Sequence, residues 1–173
     1  MPVYRAPVDD YRFLLNDVLE VEKHRDLPQF AELSAELIDD ILSNAGKFCE
    51  EVLHPLNQPG DAEGCRFENG AVTTPKGFKD AYKAYCEAGW GGLGAPEDFG
   101  GAGLPPLMTM AVSEFGMSAN QSLAMYPMLT AGAYGALLAT APGWMKQALV
   151  PKVVAGEWAG TMCLTEPGCG TDL

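Results

Sequence analysis

The run GWGGLGAPEDFGGAGLP occupies residues 89–105 and separates the helix-forming segments on either side of it. Glycine permits positive φ and close backbone approach, so the run predicts a compact irregular loop packed by Trp90, Leu93 and Phe99. It is not a Rossmann fingerprint, because no strand precedes it and no helix with a distal acidic residue follows it. It also lacks the Gly-Lys-Ser/Thr of a Walker phosphate loop.

A second run of small residues, TMCLTEPGCGTD, occupies residues 161–172. The segment Glu157–Leu164 before and into it lacks helix caps, which predicts a strand or extended piece entering a Gly/Pro turn. Backbone amides in such a turn can donate to an anion or a polar ring edge, and the hydroxyls of Thr165 and Thr171 both donate and accept. An exposed turn after an edge strand remains the alternative reading of this run.

The segments before and between these runs are helical by their apolar periodicity. Ser34–Leu53 gives the strongest signal, because its apolar side chains form one stripe with a period of about 3.6 residues. Ser34 is the expected N-cap and Pro55 the expected stop. The remaining predicted helices are Asp9–Glu22, a helix opened by Thr74-Pro75 and ended at Gly89, Leu107–Met117, Ser122–Thr140, and one from Pro142 to Ala155-Gly156.

The predicted elements together describe an all-α bundle with the start of a β structure at the carboxyl end. Because Ser122–Thr140 is nearly uncharged, we expect it to be buried on most sides. Residues Asn57–Thr74 indicate a turn-rich loop in which Asn69-Gly70 forms a tight turn.

The composition is that of a globular chain and excludes several classes of function. The 173 residues are 47% hydrophobic and 20% charged, and the formal net charge is −12. This charge argues against nucleic-acid binding, which needs clustered Lys and Arg, and against anionic membrane surfaces. No apolar stretch is judged to approach the roughly 20 residues that span a bilayer, and no secretory signal is seen. We therefore expect a cytoplasmic protein.

The reactive side chains give no catalytic constellation. Five cysteines without a C-x-x-C pair argue against a disulfide framework and a zinc site. A thiol-redox role for Cys163 and Cys169 remains open, although no basic residue lies nearby in sequence to favour a thiolate. No nucleophile elbow with a Ser/His/Asp order occurs, and no catalytic base can be named.

Taken together, the two runs resemble the amino-terminal half of an acyl-CoA dehydrogenase. Between them, KQALVPKVVAGEW at residues 146–158 resembles the passage by which that family leaves its last helix. The resemblance covers Ser34 to the end of the chain. The leading Tyr4-Arg5-Ala6-Pro7, with its short helix, resembles the extra arm of a longer subgroup that includes 3-methylmercaptopropionyl-CoA dehydrogenases.

The resemblance implies a domain plan and a chemistry. Residues 1–30 would form an arm with a short helix, residues 31–156 the α-helical domain, and residues 157–173 the start of a middle β domain that contacts a flavin. The implied reaction is α,β-dehydrogenation of an acyl-CoA thioester, in which a carboxylate removes the α-proton and FAD accepts the β-hydride.

The same resemblance assigns cofactor contacts by position. Met162, Leu164 and Thr165 would contact the flavin ring, with Thr165 at its pyrimidine edge. Gly170 and Thr171 would lie near the FAD pyrophosphate, and Thr171 also near the CoA moiety. The family usually has serine where this chain has Thr171, and threonine keeps the hydroxyl that the role requires.

Substrate contacts are implied for the helix between the two runs. The region of Met128, Leu129 and Ala131 would line the pocket for the acyl tail. The bulky side chains of Tyr126, Met128 and Leu129 hint at a short acyl chain, such as a short-chain or 3-methylmercaptopropionyl thioester.

The chain departs from the family by stopping at Leu173. The family's glutamate base belongs to a later domain, so we expect no catalytic residue in this chain. Alone, the chain is expected to be inactive and to bind FAD weakly or not at all. The full-length protein is expected to be a homo-oligomer that passes electrons to an electron-transfer flavoprotein-type acceptor. A different class of function remains open, a standalone helical interaction module, and a reading frame that continues past Leu173 would favour the enzyme.

Overall fold

A computed structural model describes residues 3–171 and shows a helical bundle with one short β-hairpin, which confirms the predicted all-α class. The helices of the described residues are α1 Val8–Arg12, α2 Ala35–Phe48, α3 His54–Glu63, α4 Phe78–Glu87, α5 Pro106–Thr140 and α6 Gly143–Val154. The hairpin pairs β1 Arg66–Glu68 with β2 Ala71–Thr73 in antiparallel register.

The amino-terminal arm packs against α2 as part of the bundle. Helix α1 continues through a π-helical turn at Phe13–Val18, somewhat shorter than the predicted helix. The side chain of Leu15 on this turn is fully buried in the main core. Gly46 of α2 makes room for the arm, because a Cβ there would lie 2.9 Å from Val8 Cγ2.

Helix α2 begins where the sequence predicts, and it does not stop where predicted. The Ser34 hydroxyl accepts a hydrogen bond from the backbone N–H of Leu37 at 3.2 Å, which is the expected N-cap. The prediction that Pro55 ends the helix is wrong, because a π-helical turn at Cys49–Leu53 leads directly into α3. Pro55 falls in the first turn of α3, directly after the π-helical turn.

The predicted loop 57–74 is therefore mostly regular structure. It contains the greater part of α3 and the hairpin, whose tight turn is the predicted one: Asn69 has φ +52° and Gly70 has φ +79°. Helix α4 starts at Phe78 rather than at Thr74-Pro75, because Gly77 with φ +87° turns the chain just before it. It ends at the predicted Gly89, whose φ is +75°.

The two predicted apolar helices form the single run α5, interrupted at Asn120, whose backbone is extended with φ −158° and ψ 89°. The first half builds the core, with Met108, Ala111 and Phe115 fully buried. The expectation that the second half is buried on most sides is wrong. Its buried side chains are Leu123 and Thr130, whereas Met128 is 47% exposed.

Helix α5 also corrects the expectation about apolar stretches. By length and composition alone, Pro106–Thr140 would suffice to cross a membrane. The 18-residue window that meets this test is only 11% buried, so the buried first half of the helix does not account for it. One such helix does not by itself show a membrane span.

Helix α6 follows the prediction and closes a second, smaller cluster. Val150 and Val154 pack with Ala95 of the glycine run and with Tyr134 and Leu137 of α5. The strand expected after it is not formed in the described residues 157–171, because no neighbouring strand is present to pair with it. Asp172 of the second run lies outside the described residues.

Candidate functional site

A cleft of about 590 Å³ opens between the glycine run and both halves of α5. Its walls are almost entirely apolar or small side chains, and no carboxylate, imidazole, thiol or ammonium group is among them. Representative lining residues are Trp90, Leu93, Val112, Met117, Leu123, Met128, Ala131 and Tyr134. Such a surface suits an apolar chain and offers no base for proton abstraction.

The glycine run forms one wall of the cleft by folding back on itself. Leu104 donates to the carbonyl of Leu93 and Gly103 to that of Ala95, both at 2.9 Å. Gly101 is required by close approach, since a Cβ there would lie 2.0 Å from the Ala95 carbonyl oxygen. The predicted compact loop is confirmed, with Trp90 packed against Phe48 of α2 at a ring distance of 6.2 Å.

The break in α5 shapes the opposite wall. Asn120 is buried, and its side-chain nitrogen donates to the Leu53 carbonyl at 3.1 Å. Its side-chain oxygen accepts from the Leu123 N–H at 3.1 Å and so caps the second half of the helix. Sequence periodicity predicts the gap between the two helices but does not identify Asn120 as the residue that links it to α2 and α3.

The predicted acyl-pocket residues divide between two faces of α5. Met128 and Ala131 line the cleft, together with Pro127 and Tyr134 at helical spacing. Leu129 does not line it, nor does Tyr126, whose ring lies 6.5 Å from that of Phe78. Of the three bulky side chains expected to limit the acyl chain length, only that of Met128 lines the cleft.

The sequence-based reading missed the contribution of α4 and of the glycine run to the cleft. Tyr85 of α4 lies in its wall, where burial, followed by the neighbouring Cys86, raises the pKa of the phenol. Trp90 lines the cleft as well, and its buried indole nitrogen has no hydrogen-bond partner among residues 3–171. Only long-range packing brings these side chains to α5, so no local pattern identifies them.

The predicted flavin contacts all lie on the exposed carboxyl-terminal segment, residues 157–171. Met162 is 67% exposed and Leu164 44%. Glu166 and Cys169 exchange two backbone hydrogen bonds, which closes the predicted turn at Pro167-Gly168. No hydrogen bond reaches the Thr165 hydroxyl from residues 3–171, and Gly170 lies against its methyl group.

The thiols show no redox pair. All five cysteines are free. Burial, with a smaller effect from Glu50, raises the pKa of Cys49 to about 12, and burial raises that of Cys86 as well. The described residues also hold no group of three His, Cys, Asp or Glu side chains that could bind a metal ion.

Comparison with known proteins shows to which family the sequence belongs. The profile of the acyl-CoA dehydrogenase N-terminal domain matches residues 36–157. A 3-methylmercaptopropionyl-CoA dehydrogenase of Ruegeria pomeroyi is 38% identical over 170 residues, which are 98% of this chain and 29% of that protein. A butyryl-CoA dehydrogenase of Syntrophomonas wolfei is 36% identical over 177 residues, 98% of this chain and 28% of that protein.

A third relative extends the comparison to a different specificity. The broad-specificity linear acyl-CoA dehydrogenase FadE5 of Mycobacterium tuberculosis is 30% identical over 176 residues, all of this chain and 28% of that protein. This chain thus spans less than a third of the length of each of these relatives. The match over residues 36–157 and the identity over nearly the whole chain show that it belongs to the acyl-CoA dehydrogenase family.

Proposed function

We propose that this chain is the helical domain of an FAD-dependent acyl-CoA dehydrogenase and supplies one wall of its acyl site. The observation that supports the proposal most is the apolar cleft, whose lining contains no base, on the same helix α5 to which the exposed carboxyl-terminal segment is anchored. We call this cleft the acyl cleft from here on.

The carboxyl-terminal segment fits a flavin in its donor set. Met162 and Leu164 present apolar side chains to solvent, as a flat aromatic ring requires of its neighbours. Thr165 has a hydroxyl that no other described group uses, and the glycines around Cys169 leave backbone amides accessible to phosphate oxygens. When bound, FAD would supply the hydride acceptor of the reaction.

The chain's own part in the reaction is binding and exclusion of water. Met128 and Ala131 would hold the acyl tail against the glycine run, and the apolar walls would keep water from it. The α-proton would be removed by a carboxylate outside these residues, since no carboxylate lines the acyl cleft. The CoA phosphates would be met by backbone amides or by basic groups outside this chain, because the chain itself carries a net charge of −12.

The choice of substrate is part of the proposal. We propose a short or sulfur-containing acyl thioester, on the similarity to the relatives with those names. A cleft of about 590 Å³ exceeds what a four-carbon tail fills, so the limit on chain length would come from Met128 or from neighbouring domains. In the full-length enzyme, M128A should lower KM for longer acyl thioesters, and L129A, whose side chain lies off the cleft, is the control.

The location, oligomeric state and electron acceptor of the full-length protein are also proposed. We propose a cytoplasmic homo-oligomer that passes its electrons to an electron-transfer flavoprotein-type acceptor and acts in fatty acid metabolism. Gel filtration with light scattering and a direct assay with purified acceptor would test the oligomer and the acceptor. A monomer that reduces only oxygen would contradict both.

A direct experiment tests the function of the chain itself. The full-length protein with FAD should reduce a dye in the presence of butyryl- or 3-methylmercaptopropionyl-CoA, whereas the 173-residue chain should neither turn yellow with FAD nor reduce the dye. A yellow, dye-reducing preparation of the 173-residue chain would contradict the proposal.

One observation favours a second candidate, a helical interaction module. Met125, Tyr126 and Met128 of α5 and Trp144 of α6 expose large apolar surfaces. Such a module would show no dehydrogenase activity in its full-length form, so the same dye assay separates the two functions.

A further inference from the structure

The carboxyl-terminal segment leaves α6 through two glycines that each lie against another helix. Gly156 has φ +73°, and a Cβ there would lie 2.3 Å from Cys86 Sγ of α4. Gly160 has no such φ, but its Cβ would lie 2.2 Å from Ala133 Cβ of α5. The chain therefore crosses α5 at a distance that only glycine permits.

Between these glycines the segment is held to α6. The Trp158 N–H donates to the Lys152 carbonyl at 3.2 Å, and Lys152 Nζ lies 4.4 Å from the centre of the Trp158 ring. A cation over an aromatic face is attracted by the ring quadrupole, so the side chains reinforce the backbone contact.

The crossing itself depends on one hydroxyl. Thr130 of α5 is 6% exposed, and its Oγ1 accepts from the Gly160 N–H at 3.1 Å. The same hydroxyl can donate to the Tyr126 carbonyl one turn earlier, at 3.5 Å. A buried hydroxyl that both accepts and donates leaves neither Gly160 nor itself unpaired.

Beyond Gly160 the segment has no comparable anchor. Residues 161–165 make no backbone–backbone hydrogen bond with any other part of residues 3–171, and residues 161–168 are all exposed. The bond to Thr130 is thus the last fixed point before Met162, Leu164 and Thr165. The segment crosses α5 at Leu129, Thr130 and Ala133, which do not line the acyl cleft, whereas Met128 and Ala131 on another side of the same helix do.

We propose that Thr130 is a positioning residue that sets the register between the acyl cleft and the flavin-contacting part of the carboxyl-terminal segment. The flavin contact in this inference rests on the proposed function, whereas the anchor at Thr130 rests on the geometry alone. One hydrogen bond joins the helix that would hold the acyl tail to the strand that would lie along the cofactor, so its loss changes their relative placement without changing the walls of the cleft.

Hydrogen exchange on the 173-residue chain tests the anchor. The variant T130V keeps the shape of the side chain and removes the acceptor, whereas T130S keeps the hydroxyl. T140V is the control: it removes an exposed hydroxyl of the same helix that donates to the Ala136 carbonyl at 2.9 Å, one turn earlier. The Gly160 amide should exchange about tenfold faster in T130V and at nearly the wild-type rate in T130S and T140V. Equal exchange in T130V and wild type would overturn the anchor.

The full-length enzyme with FAD tests the coupling. T130V should lower kcat several-fold, weaken FAD binding and shift the visible flavin spectrum, with KM for the acyl-CoA changed little, and T130S should restore all of these values. Faster exchange at Gly160 together with unchanged kcat, spectrum and FAD affinity would overturn the positioning role. If the wild-type full-length protein were inactive, the proposed function would fail, and the exchange result would still decide the anchor.

Discussion

The Asn120 amide nitrogen lies 3.1 Å from the Leu53 carbonyl oxygen, and this bond joins the break in α5 to the junction of α2 and α3. The carbonyl belongs to a π-helical turn, and the side-chain oxygen of the same asparagine caps the second half of α5. One buried side chain therefore fixes two helix ends that lie 67 residues apart in sequence.

Replacing this residue should destabilise the fold strongly. N120A leaves the Leu53 carbonyl and the Leu123 N–H without their partner in a buried position, which costs about 1–3 kcal/mol per group. Urea unfolding followed by circular dichroism would measure the loss. N44A is the control, because Asn44 makes its one bond, to the Asp40 carbonyl, on the surface, and an equal loss in the two variants would refute the linking role.

The N-cap of α2 should carry a smaller share of stability. S34A removes the acceptor of the Leu37 N–H, and we expect the free energy of unfolding to fall by about 1 kcal/mol. Thermal unfolding of S34A and of the exposed Ser122 variant S122A would be compared. A melting temperature of S34A no lower than that of S122A would contradict the cap.

Two glycine substitutions should act in opposite directions. G101A places a methyl group against the Ala95 carbonyl and should prevent the glycine run from closing, with a loss of several kcal/mol. G132A lies in open space on a helix and should stabilise by about 0.5–1 kcal/mol. Equilibrium unfolding of both variants checks the pair, and a stable G101A would show that the loop does not need its close approach.

The Glu50 carboxylate should make stability depend on pH in the acid range. The Ala6 N–H, and then the Arg5 guanidinium, lower the pKa of Glu50 below its ordinary value of 4.5. A lowered pKa in the folded state means that the stabilisation is present above that ordinary value and is lost as the pH falls through the folded pKa.

E50Q should therefore unfold at a lower temperature than wild type near neutral pH, and the two curves should converge as the pH falls below the ordinary value of 4.5 and through the folded-state pKa. The neighbouring E51Q, at an exposed position, is the control and should follow wild type throughout. A constant difference between E50Q and wild type at every pH would contradict the assignment to the charge.

Thiol modification should follow burial. Cys49 is 3% exposed, and burial raises its pKa to about 12, so iodoacetamide at about pH 8 should leave it unmodified in the folded chain. Cys65 and Cys163 are exposed and should be modified first, with all five reacting in denaturant. Mass spectrometry of the digested protein reads the order, and rapid modification of Cys49 would show that the core opens.

Local signals predicted the features that depend only on neighbouring residues. Ser34 caps α2, Asn69-Gly70 turns the hairpin, and Gly89 ends α4, because each is decided by the chemistry of one turn. The family resemblance, and not periodicity, singled out Met128, Leu129 and Ala131; Met128 and Ala131 line the cleft and Leu129 does not, and their role as an acyl pocket stays a prediction.

The features that were not predicted depend on long-range packing. Pro55 does not end the helical run, because a π-helical turn precedes it, and the carbonyl of Leu53 in that turn accepts a bond from the distant Asn120. The exposed second half of α5 reads as buried in sequence, since composition reports how apolar a surface is and not whether anything covers it. The strand expected at residues 157–164 is not formed in the described residues, because a strand forms only with a neighbour to pair with.

The contact of the arm with Gly46 has a practical consequence for producing this domain. The family profile begins at residue 36, yet Leu15 and Val21 are buried in the same core as Phe115. A recombinant piece trimmed to residues 36–157 would uncover apolar surface that the arm now shields from water, and we expect it to aggregate during expression. A recombinant piece should therefore include the arm, which lies ahead of the residue at which the family profile begins.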